Sequence, residues 1–372
     1  MKTHLKSLSS LKLLLLISLW IAPLMPHPTA PVQLTGGQVQ GSMDRDGTHL
    51  EYLAIPYATV KHRFQFEPLT IARRLAGQMG YSTEDPMEIY NLFANMTAED
   101  LLSTRVPRKK GDIVSSENIF VPCIERKLHN VERFLPDSPY NLITEGKYNK
   151  VPVIIGFNNE EGYCFAGREN KTTLANVNFY DALPRDLVFP TDEEKMNTAK
   201  MFDTLYMGGE KITEEKDSLR KFSRFVGDAG IIYPVVATME LFLRTLNKPV
   251  FAYKFQYDGY LNYAKMAFGF RGSPGATHAD ELFYMFSSLD LPANNPTPAS
   301  SSILPKWEPA ELQEPKLMVI DKELSMAPIW EDETHALQLW NTTYSMYRKT
   351  RPEEKHLIFS IKKTFQLSIE KS

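Results

Sequence analysis

Residues 150–157 read Lys-Val-Pro-Val-Ile-Ile-Gly-Phe. An unbroken β-branched run of this kind reads as a strand buried on both faces of a parallel sheet, because a half-exposed strand alternates polar and apolar residues. Residues 248–259, KPVFAYKFQYDG, have the same character, and a stretch with helical spacing, 217–246, lies between the two. Parallel neighbours cannot be joined by a tight turn, so this order demands a crossover through helix. LMVIDKELSM (317–326) reads as a third, more alternating strand and HALQLWNTTYSMYRK (335–349) as a closing helix. Strands interleaved with long helices predict the α/β class with a parallel sheet.

Upstream of this core, QLTGGQVQGS (33–42) and EYLAIPYATV (51–60) are short alternating runs separated by Asp44, Asp46 and Gly47, and they predict an antiparallel hairpin. HRFQFEP (62–68) then gives way abruptly to apolar residues at helical spacing over 69–103. There Thr83, Glu84 and Asp85 open a second helix, and Pro86 occupies a position that a first helical residue tolerates. ANNPTPASSS (293–302) reads as a loop, and HLIFSIKKTFQLSIE (356–370) has an edge-strand alternation.

Forty-two basic residues against 45 acidic ones leave a formal charge of −3 in 372 residues, which supplies no field to recruit nucleic acid or an anionic membrane. Arg108, Lys109 and Lys110 read as a solvated loop. Lys2, Lys6 and Lys12 precede the apolar LLLLISLWIAPL (13–24), and Pro28, Thr29 and Ala30 follow. That is the grammar of a secretory signal peptide over residues 1–30, and the run falls short of the ~20 residues that span a bilayer. A secreted chain makes Asn95, Asn170 and Asn341 glycosylation candidates, each being followed by a threonine two residues on. Only Cys123 and Cys164 are present, so no disulfide framework holds the fold; one bridge or two buried thiols both fit.

Reactive residues of an open parallel sheet lie beyond the carboxyl ends of its strands. After KVPVIIGF comes NNEEGYCF (158–165), which places Glu161 there. After the next strand region comes GATHADELFYMF (275–286), with His278. An acid followed downstream by a histidine matches the last two members of the Ser, Asp/Glu, His order of α/β-hydrolases. A metal site at His278, Asp280 and Glu281 is not predicted, because no second histidine stands at ligand spacing and no HExxH occurs. No cofactor motif is present either.

VPVIIGFNNEEGY, PVFAYKFQYDG, GATHADELFYMF, NPTP, GGQVQG, EYLAIPYA and RFQFEP, taken in order over nearly the whole chain, resemble the type-B carboxylesterase family. That family includes the cholinesterases, and the texture is most similar to insect carboxylesterases. The resemblance implies an α/β-hydrolase fold acting on small-molecule carboxylic esters through an acyl-serine. It implies that Glu161 orients the histidine and that His278 is the general base.

The family's nucleophile is the Ser of Gly-x-Ser-x-Gly, assisted by a glycine-rich oxyanion hole. Neither that pentapeptide nor an HGGG-like run occurs in this chain, and Ser273 sits in Arg-Gly-Ser-Pro-Gly, a loop sequence. The resemblance implies a block missing at the join near 68/69 and a smaller one near 290/295. Residues 31–372 then form a type-B carboxylesterase domain with an incomplete α/β-hydrolase fold that lacks central strands of its sheet, and KVPVIIGF is left with an apolar unpaired edge. Three functional expectations follow: an esterase-family chain inactive as written, a non-catalytic binding homologue, or a non-functional splice or gene-model product. Nothing in the sequence sets an oligomeric state.

Overall fold

The computed structural model describes residues 28–34, 37–43, 47, 49–52, 69–103, 108, 111–113, 124–125, 133–286, 305–330 and 335–349. The leader through residue 27, the strand 53–60, Lys109, Lys110, Cys123, the loop 293–302 and the stretch 356–370 lie outside them. Both sequence joins fall at or beyond their limits.

The chain divides into two compact units, Met1–Gln65 and Phe66–Ser372. In the first, β1 (Val32–Leu34) pairs antiparallel with β2 (Gly37–Val39), and β3 (Ser42–Met43) with β4 (Leu50–Glu51). The predicted antiparallel pairing of the two runs is found where they face each other, Ser42 opposite Glu51 and Met43 opposite Leu50. The first run in addition pairs within itself, β1 with β2, and Gly37 at the start of β2 has φ 138°.

The second unit opens with α1 (Leu69–Gln78), α2 (Pro86–Ala94) and α3 (Ala98–Ser103). Leu75, Ala76, Ile89 and Phe93 form a small core of their own. The start of α2 is set by Asp85, whose carboxylate accepts the Met87 N–H at 2.8 Å, with Pro86 as the first helical residue, as the sequence predicts.

After α4 (Pro139–Thr144) comes β5 (Val153–Asn158), then α5 (Tyr163–Ala166), α6 (Lys171–Leu174), α7 (Phe179–Ala182), α8 (Asp192–Met207), α9 (Lys216–Gly227), α10 (Tyr233–Thr245) and β6 (Val250–Phe255). β6 lies parallel to β5 in register Val153↔Val250, with the helices as the crossover that parallel pairing requires. Between α9 and α10, residues Asp228–Ile232 widen to a π turn in which Tyr233 N–H reaches the Asp228 carbonyl. The following residue, Pro234, has no N–H to continue the α ladder, and the wider turn absorbs that defect. The 30-residue run Lys216–Thr245 is long and apolar enough to cross a membrane. Phe225 and Val236 within it are fully buried in the main core.

Beyond β6, α11 (Tyr263–Ala267) and α12 (Leu282–Met285) lead to β7 (Lys316–Ile320), β8 (Leu324–Pro328) and α13 (Ala336–Tyr347). The predicted third strand is two strands. Asp321 and its neighbours turn the chain, the Asp321 carboxylate accepting the Lys322 N–H at 2.8 Å, and β8 returns antiparallel to β7. The sheet is therefore mixed, in the order β5-β6-β7-β8, rather than wholly parallel. Trp340 on α13 anchors the main core, fully buried against Phe202 at 4.0 Å between ring centroids and donating from its indole N–H to Tyr206 at 2.9 Å.

Two further expectations are corrected. β5 is not buried on both faces, Ile154 being 65% exposed; the unpaired edge expected for this run is found, since β5 takes one edge of the sheet and among the described residues no strand pairs with its outer side. Arg108 is not solvated. Its guanidinium meets both carboxylate oxygens of the buried Glu169 at 2.8 and 2.7 Å, which compensates a carboxylate that has left water.

Candidate active site

The carboxyl end of β5 runs straight into Asn158, Asn159, Glu160, Glu161 and Gly162. Glu161 folds back on the strand, its Oε1 accepting the Asn158 N–H at 2.8 Å. Gly162 follows because nothing larger fits. A Cβ there would lie 2.6 Å from the Ser223 carbonyl carbon, 2.9 Å from the Gly227 nitrogen and closer still to the Ser223 oxygen, all main-chain atoms of α9. The turn bearing Glu161 is thus seated on a helix backbone.

The second loop, 271–281, joins α11 to α12 and is stitched to the first. Ala276 N–H donates to Asn159 Oδ1 at 3.0 Å, Glu160 N–H to the Ala276 carbonyl at 2.9 Å, and the Thr277 hydroxyl to the Glu161 carbonyl at 3.3 Å. Gly275 adopts φ 79°, and a Cβ there would press on the Asn159 amide at 2.6 Å. Ala279 is left-handed without being glycine, at φ 71°, which persists only where the surroundings hold it.

These stitches bring Glu161 and His278 together, His278 Nδ1 lying 2.9 Å from Glu161 Oε2. The carboxylate is buried and the imidazole 55% exposed. Donation from Nδ1 leaves the lone pair on Nε2, which has no hydrogen-bond partner among the described residues. The hydrogen bond to Glu161 raises the imidazole pKa above its ordinary value, against burial, which lowers it. The Phe165 ring stands 6.4 Å from the imidazole.

The neighbouring carboxylates have other partners. Glu160, also buried, faces Arg224 at 3.4 Å, and burial raises its pKa despite that cation. Asp280 is fully buried and pushed up to about 6 by burial; it accepts the Thr277 N–H at 2.8 Å and the Lys265 N–H at 3.2 Å. Glu281 takes the Asn158 side-chain amide, which also donates to the Thr277 carbonyl at 2.6 Å. In the sequence His-Ala-Asp-Glu, then, only the histidine is presented outward and both acids hold backbone or amide groups. Cys164 is a free, buried thiol donating to the Glu161 carbonyl at 3.3 Å, and burial, then the Glu161 charge, push it up to about 12. It forms no bridge. Ser273 Oγ is buried without a hydrogen-bond partner.

Sequence reasoning missed Asn158, Asn159 and Lys265. Asn158 closes the apolar strand, Asn159 follows it, and Lys265 interrupts the apolar Tyr-Ala-Lys-Met-Ala-Phe; all three are polar residues where burial is expected. Clefts of about 360 and 480 Å³ lie at Arg73–Glu84 and at Asp112–Lys195, and neither is lined by Glu161 or His278.

The model of the carboxylesterase family matches residues 61–306. Juvenile hormone esterase of Heliothis virescens is 28% identical over 224 residues, covering 58% of this chain and 37% of that protein. Acetylcholinesterase of Myxine glutinosa is 25% identical over 195 residues, covering 50% of this chain and 52% of its own length. The chain therefore spans about half or less of these relatives. Among solved structures, juvenile hormone esterase from Manduca sexta superposes with a TM-score of 0.55 at 18% identity, over 74% of this chain and 56% of that one. That likeness is one of fold, a partial α/β-hydrolase. With the family match running through both loops that carry Glu161 and His278, the chain belongs to the carboxylesterase family.

Proposed function

We propose that this chain holds the acid and base of an ester-hydrolase triad, with His278 as general base and Glu161 as its orienting carboxylate, and that as written it does not hydrolyse esters. The observation that carries the reading is the 2.9 Å contact between His278 Nδ1 and the buried Glu161. It fixes the tautomer in which Nε2 can take a proton, the role a triad imidazole performs. The hydroxyl to be deprotonated is absent, since no Gly-x-Ser-x-Gly occurs. Residues 31–372 are then a type-B carboxylesterase domain with blocks missing near 68/69 and 290/295. The substrates of the complete site are small-molecule carboxylic esters.

The experiment is an NMR titration of His278 in the full chain and in Glu161→Gln. The substitution removes the charge that accepts the Nδ1 proton, so the midpoint falls from its raised position. The stability consequence has a definite sign. With the folded pKa above the ordinary ~6.5, protonated His278 stabilises the fold fully below that value, and the contribution is lost as pH rises through the raised one. The exposed ring keeps this contribution small through solvent screening. Equal midpoints in the two proteins would show that the pair does not form.

The signal-peptide reading places the chain outside the cell. Asn95, Asn170 and Asn341 are all exposed, which supports them as glycan acceptors. Expressed in a secretory cell, the protein is expected to enter the medium and lose mass on endoglycosidase treatment. An unshifted band would remove the glycan assignment.

A further inference from the structure

Lys265 lies on α11 among apolar neighbours and is 3% exposed. An ammonium taken so far from water must satisfy all three of its donors, and this one does. Nζ donates to the Asp258 carboxylate, to the Ser273 carbonyl at 2.9 Å and to the Gly275 carbonyl at 2.6 Å. The same residue's backbone N–H donates to Asp280 Oδ1 at 3.2 Å, while Asp280 Oδ2 takes the Thr277 N–H at 2.8 Å. One residue therefore grips the loop upstream of His278 through its side chain and downstream through its main chain. Between the grips stand the two left-handed residues, Gly275 and Ala279. Asn262 reinforces the upstream side, its amide reaching the Gly275 carbonyl at 3.3 Å.

We propose that Lys265 is the positioning residue of this site, its buried ammonium fixing the path of residues 273–280 so that His278 Nδ1 meets Glu161 Oε2. It touches neither partner and acts only through the loop. The inference rests on the reading of Glu161 and His278 as a functional pair. An arginine could not replace it, because a planar five-donor fork does not match two carbonyls and a carboxylate arranged around one nitrogen.

The test is the same His278 titration, with the downfield Nδ1 proton resonance as second readout, on the full chain carrying Lys265→Met, Lys265→Arg or Asp258→Asn. Circular dichroism and a cooperative melt establish which variants fold. Folded Lys265→Met is expected to lose the downfield resonance and to titrate at the midpoint of Glu161→Gln, and Lys265→Arg is expected not to restore the wild-type values. Asp258→Asn keeps the ammonium but removes its charged partner, and is expected to shift the midpoint in the same direction by less. It decides the matter if Lys265→Met does not fold. A wild-type resonance and midpoint in folded Lys265→Met, or in Asp258→Asn where that variant decides, overturns the role of Lys265 and leaves the pair intact. A wild-type chain whose His278 is insensitive to Glu161→Gln takes down both.

Discussion

The full chain is expected to hydrolyse an unactivated alkyl ester no faster than its own His278→Ala variant. A triad works as a unit: loss of the serine costs about 10⁶ in rate in the subtilisin series, and loss of one oxyanion donor a further factor of about 10² to 10³. This chain has neither the Gly-x-Ser-x-Gly elbow nor a glycine-rich oxyanion run. What it retains, an imidazole at an exposed position, is worth at most about 10² to 10⁴ as a general base, and then only with a bound and oriented ester. The two clefts described do not include that imidazole. An alkyl ester is the right substrate because an exposed imidazole can itself attack activated aryl esters, which would mimic turnover. Initial rates of the two proteins side by side decide the question, and a His278-dependent rate would contradict the expectation.

The largest stability effect is expected at Gly162→Ala. Its Cβ would stand 2.6 Å from the Ser223 carbonyl carbon and 2.9 Å from the Gly227 nitrogen. The approach is reciprocal, since a Cβ on Gly227 would lie 2.7 Å from the Gly162 nitrogen. No rotamer change can relieve contacts between main chains, so α9 must shift or the Glu161 turn must lift. Overpacking that side chains can absorb costs about 1–3 kcal/mol; a backbone clash belongs with the exceptional losses above about 4 kcal/mol. That is a large part of the ~5–15 kcal/mol holding a domain together. Gly230→Ala in the π turn is the control: its Cβ meets nothing within 4 Å, and less unfolded-state freedom is expected to make it neutral or stabilising by about 0.4–1 kcal/mol. Urea unfolding of both variants gives the comparison, and equal midpoints would mean that Gly162 is not held against α9.

How much of this was legible in the sequence depends on how local each interaction is. The strands around Val153–Asn158 and Val250–Phe255 announce themselves by β-branched runs, and the helix at 217–246 by its spacing, so class and parallel crossover follow. The turn at Asp321 hides inside an alternating run because Lys-Glu is not a usual turn dipeptide, and one strand became two. The run 150–157 by itself reads as core, and its unpaired edge was legible only through the block that the family resemblance implies is missing; in the structure β5 is an edge strand with Ile154 exposed. Glu161 and His278 were readable as residues following strands, yet nothing local chooses between Glu160 and Glu161. The choice is made by contacts across more than sixty residues, Glu160 to Arg224 and Glu161 to His278. Arg108 fails for the same reason, its burial being set by the distant carboxylate of Glu169. Lys265 fails for another: its partners, Asp258 and the Ser273 and Gly275 carbonyls, are near in sequence, but no residue pattern announces that a loop will fold its carbonyls around one ammonium.

The proposal that His278 is an esterase base without its nucleophile is tested most directly by covalent labelling. The full chain is treated with a fluorophosphonate, which phosphonylates an activated serine, and the modified residues are mapped by mass spectrometry beside the His278→Ala variant. The expected result is no serine adduct in either protein. A stoichiometric adduct on one serine that disappears in His278→Ala would show that this chain has a working nucleophile after all.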